Sequence, residues 1–323
     1  MHIQTLTVHR RRFAWSGAVN LPRAACILTL FLANLTYADP IETYLALGDS
    51  IAFGVTSFTP VSFGDQGYVS LYADFLATQG NGVRPHVINL AIPGETSKSF
   101  FTAVSVSPLP PHDLLASFNL NYHGDTSLSQ DALLLATLAA EAGAGHVITN
   151  VSFAIGDNDL LVFEQLHPDF LLLSPDQQQQ LISAFALDLT NSYITVLSQV
   201  RTALPDARLL LLNYYNPLGS SPPDNPFNIA NTIFDQVHSG ILANLAGPFH
   251  ASVVDINTAF RGRESELITP GGSHPTDQGY AVIAQQMEAA TVPEPFSVVL
   301  LATSLVALAV LMKMPSQRRS GFH

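Results

Sequence analysis

Short apolar runs alternate along this chain with longer stretches in which apolar residues recur every three or four positions. The runs at 41–47, 86–92, 147–155, 207–214 and 251–256 are often β-branched, as strands buried on both faces of a parallel sheet should be. The amphipathic stretches at 68–77, 133–142, 179–204 and 229–245 fall between them, and a last helix is expected over 276–289. Five βα units in a row predict an α/β domain with one parallel sheet and helices on both faces. Two proline-containing segments interrupt the rhythm, 101–130 and 216–228. Insertions of this length in a compact domain are functional or simply solvated, so both are candidate walls of a substrate site. The glutamine run 177–180 reads as a helix start, and no internal repeat is visible.

The two ends break the pattern. Arg10, Arg11, Arg12 and Arg23 precede a short apolar stretch, 24–35, and Thr36-Tyr37-Ala38 offers a small-x-small cleavage site. Residues 1–38 are therefore expected to be a secretory signal, with a mature start at Asp39. At the other end, Val292-Pro293-Glu294-Pro295 is followed by an apolar run over 296–312 and then by Lys313, Arg318 and Arg319. The apolar run is close to the minimum for a membrane-spanning helix, and the cations beyond it favour a cytoplasmic end. This tripartite tail, 291–323, resembles the PEP-CTERM sorting signal of Gram-negative bacteria. The resemblance implies processing by an exosortase-type enzyme and membrane contact through the C-terminal helix beforehand. A plain C-terminal anchor is the other reading. Either way the domain, 39–290, is expected outside the cytoplasm, extracellular or at the cell surface.

Composition narrows the function. The chain carries 13 Lys and Arg against 25 Asp and Glu, and the basic residues of the domain are scattered. A nucleic-acid partner is not expected without a basic patch. The single cysteine, Cys26, lies in the expected signal, and Arg23-Ala24-Ala25-Cys26 puts a charge where a lipoprotein signal wants an aliphatic residue. The mature domain would then hold no disulfide. No metal is expected, because His112 and His123 are widely spaced in loop-like sequence. No cofactor is expected either, since no glycine-rich nucleotide loop follows a strand in the required form.

The candidate chemistry sits where strands end. The first apolar run leads directly into Gly48-Asp49-Ser50-Ile51-Ala52, placing a hydroxyl at the carboxyl edge of the sheet, where open α/β sheets bind ligands. Gly-Asp-Ser alone also serves as a helix cap. At a helix N-terminus, however, a serine nucleophile gains from the dipole and free N–H groups, and the Ser50 N–H can help bind an oxyanion. Three later segments follow in order: Asn89 to Thr96 with Gly94, then Gly156-Asp157-Asn158-Asp159, then Ser273-His274-Pro275-Thr276-Asp277-Gln278-Gly279-Tyr280. Their bland readings are turn residues for Gly94 and Asn158, and one of eleven histidines for His274.

Together the four segments resemble the GDSL or SGNH hydrolases over roughly residues 42–289. The resemblance implies a three-layer α/β/α sandwich around a flavodoxin-like five-stranded parallel sheet. It implies Ser50 as nucleophile, His274 as general base, and an oxyanion hole formed by Ser50 N–H, Gly94 N–H and the Asn158 side-chain amide. Asp159 is expected to hold its turn. One position departs from the family. The Asp expected three residues before the histidine is Gly271. A Ser–His dyad, a relocated acid (Asp255, Glu264, Glu266 or Asp277) and a catalytically weak surface-binding domain are the open alternatives. Apolar residues around Phe100, Phe101, Leu114, Leu115 and Phe118 favour an acyl-chain or aryl ester of the esterase or lipase type. The expected surface location favours instead a carbohydrate acetylesterase acting on extracellular polysaccharide.

Overall fold

The computed structural model describes residues 41–56, 66–80, 82–102 and 128–292. The expected signal, the C-terminal tail and most of the 101–130 insertion lie outside the described residues. In chain order the elements are β1 (Glu42–Gly48), α1 (Ser50–Phe53), α2 (Gly67–Gln79), β2 (His86–Asn89), α3 (Gln130–Ala144) and β3 (Val147–Ala154). They continue with α4 (Asp157–Leu166), α5 (Pro175–Ala203), β4 (Arg208–Leu212), α6 (Pro226–Ala246), β5 (Ala251–Val254), α7 (Ile256–Phe260), α8 (Glu264–Leu267) and α9 (Asp277–Thr291).

All four strand pairings are parallel, in the order β2-β1-β3-β4-β5. This is the flavodoxin-like order, and the direction of winding reverses between β1 and β3. The expected α/β class and five strands are therefore observed. Strand alternation builds the layers. Tyr44 and Ala46 of β1 face a core completed by Tyr68 and Tyr72 of α2 and by Tyr280, Ile283 and Met287 of α9. Leu45 and Leu47 face the opposite core, filled by Leu134 of α3, Tyr193 and Leu197 of α5 and Leu242 of α6. A smaller apolar cluster joins Leu160 and Phe163 of α4 to Phe170, Tyr214 and Phe234.

Boundaries shift where side chains intervene. Strand β2 stops at Asn89, whose side chain accepts from the Ala91 N–H (3.0 Å) and donates to the Ala52 carbonyl (2.8 Å). The glutamine run does start a helix: Ser174 and Gln177 form a capping box with Pro175 in the first turn. Helix α5 has the length and composition to cross a membrane. Its second half buries Tyr193, Val196, Leu197 and Val200 against the sheet, which marks it as a layer of this core. Phe100, read as a possible substrate wall, is a core residue packed edge-on against Phe153, at 5.6 Å between ring centroids. Phe101 is exposed, while Leu114, Leu115 and Phe118 lie outside the described residues. The segment before α6 lines a cavity of about 930 Å³ with α6 and α7, and Ser50, Gly94, Asn158 and His274 are not among its lining residues.

Candidate active site

Ser50 begins α1 directly after β1. Gly48, the last residue of that strand, has φ +146°, and a Cβ there would lie 2.1 Å from the Ala154 carbonyl oxygen. Only glycine lets β1 turn so close to β3. Asp49 caps α1 by accepting from the Ile51 N–H at 2.9 Å. Ser50 Oγ then lies 2.9 Å from His274 Nε2, across 224 residues of sequence.

His274 is held through its backbone. Its carbonyl accepts from the Thr269 N–H (2.9 Å) and hydroxyl (3.0 Å), and Tyr215 Oη donates to the Ser273 carbonyl at 2.7 Å. The following motif has a physical account. Thr276 is the N-cap of α9, its hydroxyl accepting from the Gly279 N–H. Pro275 thus precedes the cap, in a bridge to Ile268. A Cβ on Gly279 would sit 2.2 Å from the Leu267 carbonyl oxygen. Tyr280 donates to the Val55 carbonyl at 2.6 Å, tying the histidine's helix to the loop after Ser50.

Gly94 (φ +83°) lies in the turn closed by the Glu95 N–H and the Ile92 carbonyl (3.0 Å). Pro93 at the second position and a positive-φ Gly94 at the third are the signature of a type II turn. Asn158 lies in a helix and not in the turn of its bland reading. Strand β3 ends at Ala154, Gly156 turns at φ +128°, and Asn158 is the second residue of α4. Its Nδ2 donates to the Glu95 carbonyl (2.9 Å) and approaches Asp49 Oδ2 (3.4 Å). It therefore contacts the residue before Ser50 and the residue after Gly94. Asp159 has a structural part, accepting from the Ser97 N–H (2.8 Å) and hydroxyl (2.6 Å) and so tying α4 to the segment after Gly94.

Burial sets the electrostatics. His274 is 8% exposed, and desolvation lowers its pKa to about 4, so the imidazole is neutral and able to take a proton near neutrality. Burial raises Asp49 to about 7, with the Asp159 charge adding to the effect. It likewise raises Glu95 to about 8 and Asp159 to about 6, and holds Asp157 well above the usual carboxylate range.

The Gly271 backbone has φ +73°. Three of the four carboxylates considered as replacements for an acid there are engaged elsewhere. Asp255 caps α7 and accepts from Asn213, Glu264 accepts from Ser220 and the Gly262 N–H, and Glu266 pairs with Arg263 and Gln278. Asp277 is exposed on the first turn of α9. Among the described residues no cluster of His, Cys, Asp and Glu could hold a metal. Two residues escaped sequence reasoning altogether, Gln130 and Glu95. Both are buried among the motif residues.

A family profile described as the GDSL-like lipase/acylhydrolase family matches residues 46–282. The chain belongs to this family. As a GDSL-like acylhydrolase it is a hydrolase that cleaves ester bonds. No curated protein matches its sequence. Among solved structures it is similar to a lipase from a goat rumen metagenome, at 18% identity and a TM-score of 0.50 over 77% of this chain and 97% of that one. It is also similar to an extracellular lipase from Streptomyces rimosus (20% identity, TM-score 0.48, 77% of this chain and 100% of that one). An acetylxylan esterase from Geobacillus stearothermophilus matches at 18% identity and a TM-score of 0.46, over 79% and 96% of the two chains. At these identities the likeness concerns the fold.

Proposed function

We propose that the domain 39–290 is an exported serine esterase of the lipase type, working through an acyl-enzyme. The observation that carries this is the 2.9 Å approach of Ser50 Oγ to a buried, neutral His274 at the carboxyl edge of β1. The Ser50 hydroxyl donates to Nε2, and Oγ attacks the ester carbonyl as the proton moves to the imidazole. The tetrahedral oxyanion is received by the Ser50 N–H, the Gly94 N–H and Asn158 Nδ2. His274 returns the proton to the leaving alcohol, and water repeats the sequence in reverse to free the acid. No cofactor takes part.

Neutral acyl or aryl esters are the proposed class: burial raises the pKa of Asp49, Glu95, Asp157 and Asp159, so the carboxyls beside the site offer a cationic ester little charge. Export rests on residues 1–38, and surface sorting by an exosortase-type enzyme rests on Pro293-Glu294-Pro295 and the apolar, basic-ended tail. The test is turnover of p-nitrophenyl esters graded by chain length, with fluorophosphonate labelling. Ser50→Ala should abolish turnover and labelling while the fold survives. Labelling at another residue, or turnover kept in that variant, would reject the mechanism. Turnover restricted to acetyl esters would favour a carbohydrate acetylesterase.

A further inference from the structure

Gln130 opens α3, 82 residues from Gly48 in sequence, and is fully buried. Its carboxamide pairs with both backbone groups of that one residue, as a neighbouring strand would. The Gly48 N–H donates to Oε1 (2.8 Å), and Nε2 donates to the Gly48 carbonyl (2.9 Å). The other Nε2 hydrogen reaches Glu95 Oε2 (3.2 Å). One side chain thereby bridges two structures that must agree: the strand end that aims Ser50 and the turn that aims the Gly94 N–H. The bridge extends further, because the Glu95 carbonyl accepts from Asn158 Nδ2. On its far side the Glu95 carboxyl is bonded to Ser99, whose Oγ also accepts from the Thr96 N–H. The groups meeting here come from β1, the β2 turn, α3 and α4.

We propose that Gln130 is a positioning residue of the ester-cleaving site, its carboxamide holding the Gly48 backbone and the Glu95 carboxyl in register so that the three oxyanion donors converge. This rests on the proposed roles of Ser50, Gly94 and Asn158. An amide suits the site at every pH, because glutamine supplies an acceptor and two donors in one plane and a carboxylate supplies no donor. The ionisable groups facing Glu95 are Asp49 and Asp159, both acidic, and both oppose its charge. Burial is what raises the Glu95 pKa to about 8, against the donors on Ser99 and Gln130, which lower it.

The experiment uses the full chain and counts active sites by fluorophosphonate titration, so that misfolded protein drops out of every rate. Gln130→Ala should lower kcat per titrated site by roughly 10–100-fold, as expected for a small misplacement of reacting groups, with KM nearly unchanged. The inhibition constant of an arylboronic acid, which forms a tetrahedral adduct on the nucleophile, should weaken by the same factor. A purely structural role would lower the titrated fraction and the melting temperature and leave both per-site values at wild type. Gln130→Glu carries the test should the alanine variant fail to fold. A protonated glutamic acid can still accept from and donate to Gly48, so this variant should retain activity in mild acid. It should lose at least about tenfold as pH rises and two carboxyls contend for one proton, a decline absent from wild type. A Gln130→Ala variant at wild-type per-site kcat and boronate affinity overturns the clamp, as does a Gln130→Glu profile that superimposes on wild type. Turnover that survives Ser50→Ala overturns the serine mechanism and the clamp together.

Discussion

Restoring an acid at position 271 is the most direct probe of how His274 is oriented. Gly271 is exposed, has φ +73°, and would meet no heavy atom within 4 Å of an added Cβ. Space is therefore no obstacle to Gly271→Asp, and the cost is conformational. A left-handed non-glycine residue costs about 1–2 kcal/mol, and Asp is among the residues that tolerate it best. That predicts a fall in melting temperature of about 2–4 °C per kcal/mol for a domain of this size. The gain lies in the imidazolium. A carboxylate about 4 Å away is worth about 4 kcal/mol at an effective dielectric of about 20, and the exposure of position 271 reduces this. An opposite charge at such range moves a pKa by about 1–3 units. His274, held at about 4 by burial, should rise accordingly, toward the range of an ordinary histidine. The assay is the pH dependence of kcat/KM on a p-nitrophenyl ester, with Gly271→Asn as control. Asparagine imposes the same backbone strain without the charge. Gly271→Asp should shift the acid limb upward by about 1–2 pH units and raise kcat, whereas Gly271→Asn should do neither. An aspartate variant that melts with the asparagine variant and whose acid limb coincides with wild type would refute the argument.

Asn158→Ala should lose about 10²–10³ in kcat, the worth of one oxyanion donor, with KM changed little; a folded variant within tenfold of wild type would remove Asn158 from that role. Gly279→Ala forces a Cβ into the 2.2 Å gap to the Leu267 carbonyl oxygen and should cost about 1–3 kcal/mol, read as a lower melting temperature, while shifting the His274 loop and reducing kcat. Stability should decline from about pH 6.5 to about pH 8. Burial raises the folded-state pKa of Asp49, Asp235 and Glu95 to about 7–8, so the fold holds protons that the unfolded chain has released, and this stabilisation, complete below about pH 4, is lost as pH climbs through those values. His274 and His238 act oppositely, being neutral in the fold to about pH 4 and about pH 3, but their effect is confined below about pH 6.5. Thermal melts that rise across the upper window would contradict the assignment.

The strands were legible because a buried parallel strand is apolar on both faces and so stands out as a continuous run. Ser50 and His274 were legible because each is framed by neighbours with their own work: Gly48 must pass under Ala154, Thr276 must cap α9, and Gly279 must approach Leu267. Helix α4 was not seen, since Gly156 and three polar residues in a row look like a turn until Phe163 packs on Phe234 at 4.5 Å. Gln130 and Glu95 were invisible for a different reason. Their partners lie far along the chain, and a buried polar side chain matched to distant backbone leaves no periodic trace. The engagement of Asp255, Glu264 and Glu266 was equally out of reach, because it depends on which loops the fold brings beside them.

The 224-residue separation of Ser50 from His274 also bears on when the chain becomes reactive. The strand that leads into Ser50 lies inside the sheet, between β2 and β3, and is made first. His274 arrives on the last βα unit, anchored by a helix that packs on α2 and bonds to Val55. Loop closure across so long a span comes late in assembly. A growing chain thus holds Ser50 without His274, and the pair on which the proposed hydrolysis depends closes only as α9 docks, with the completed fold as its own licence.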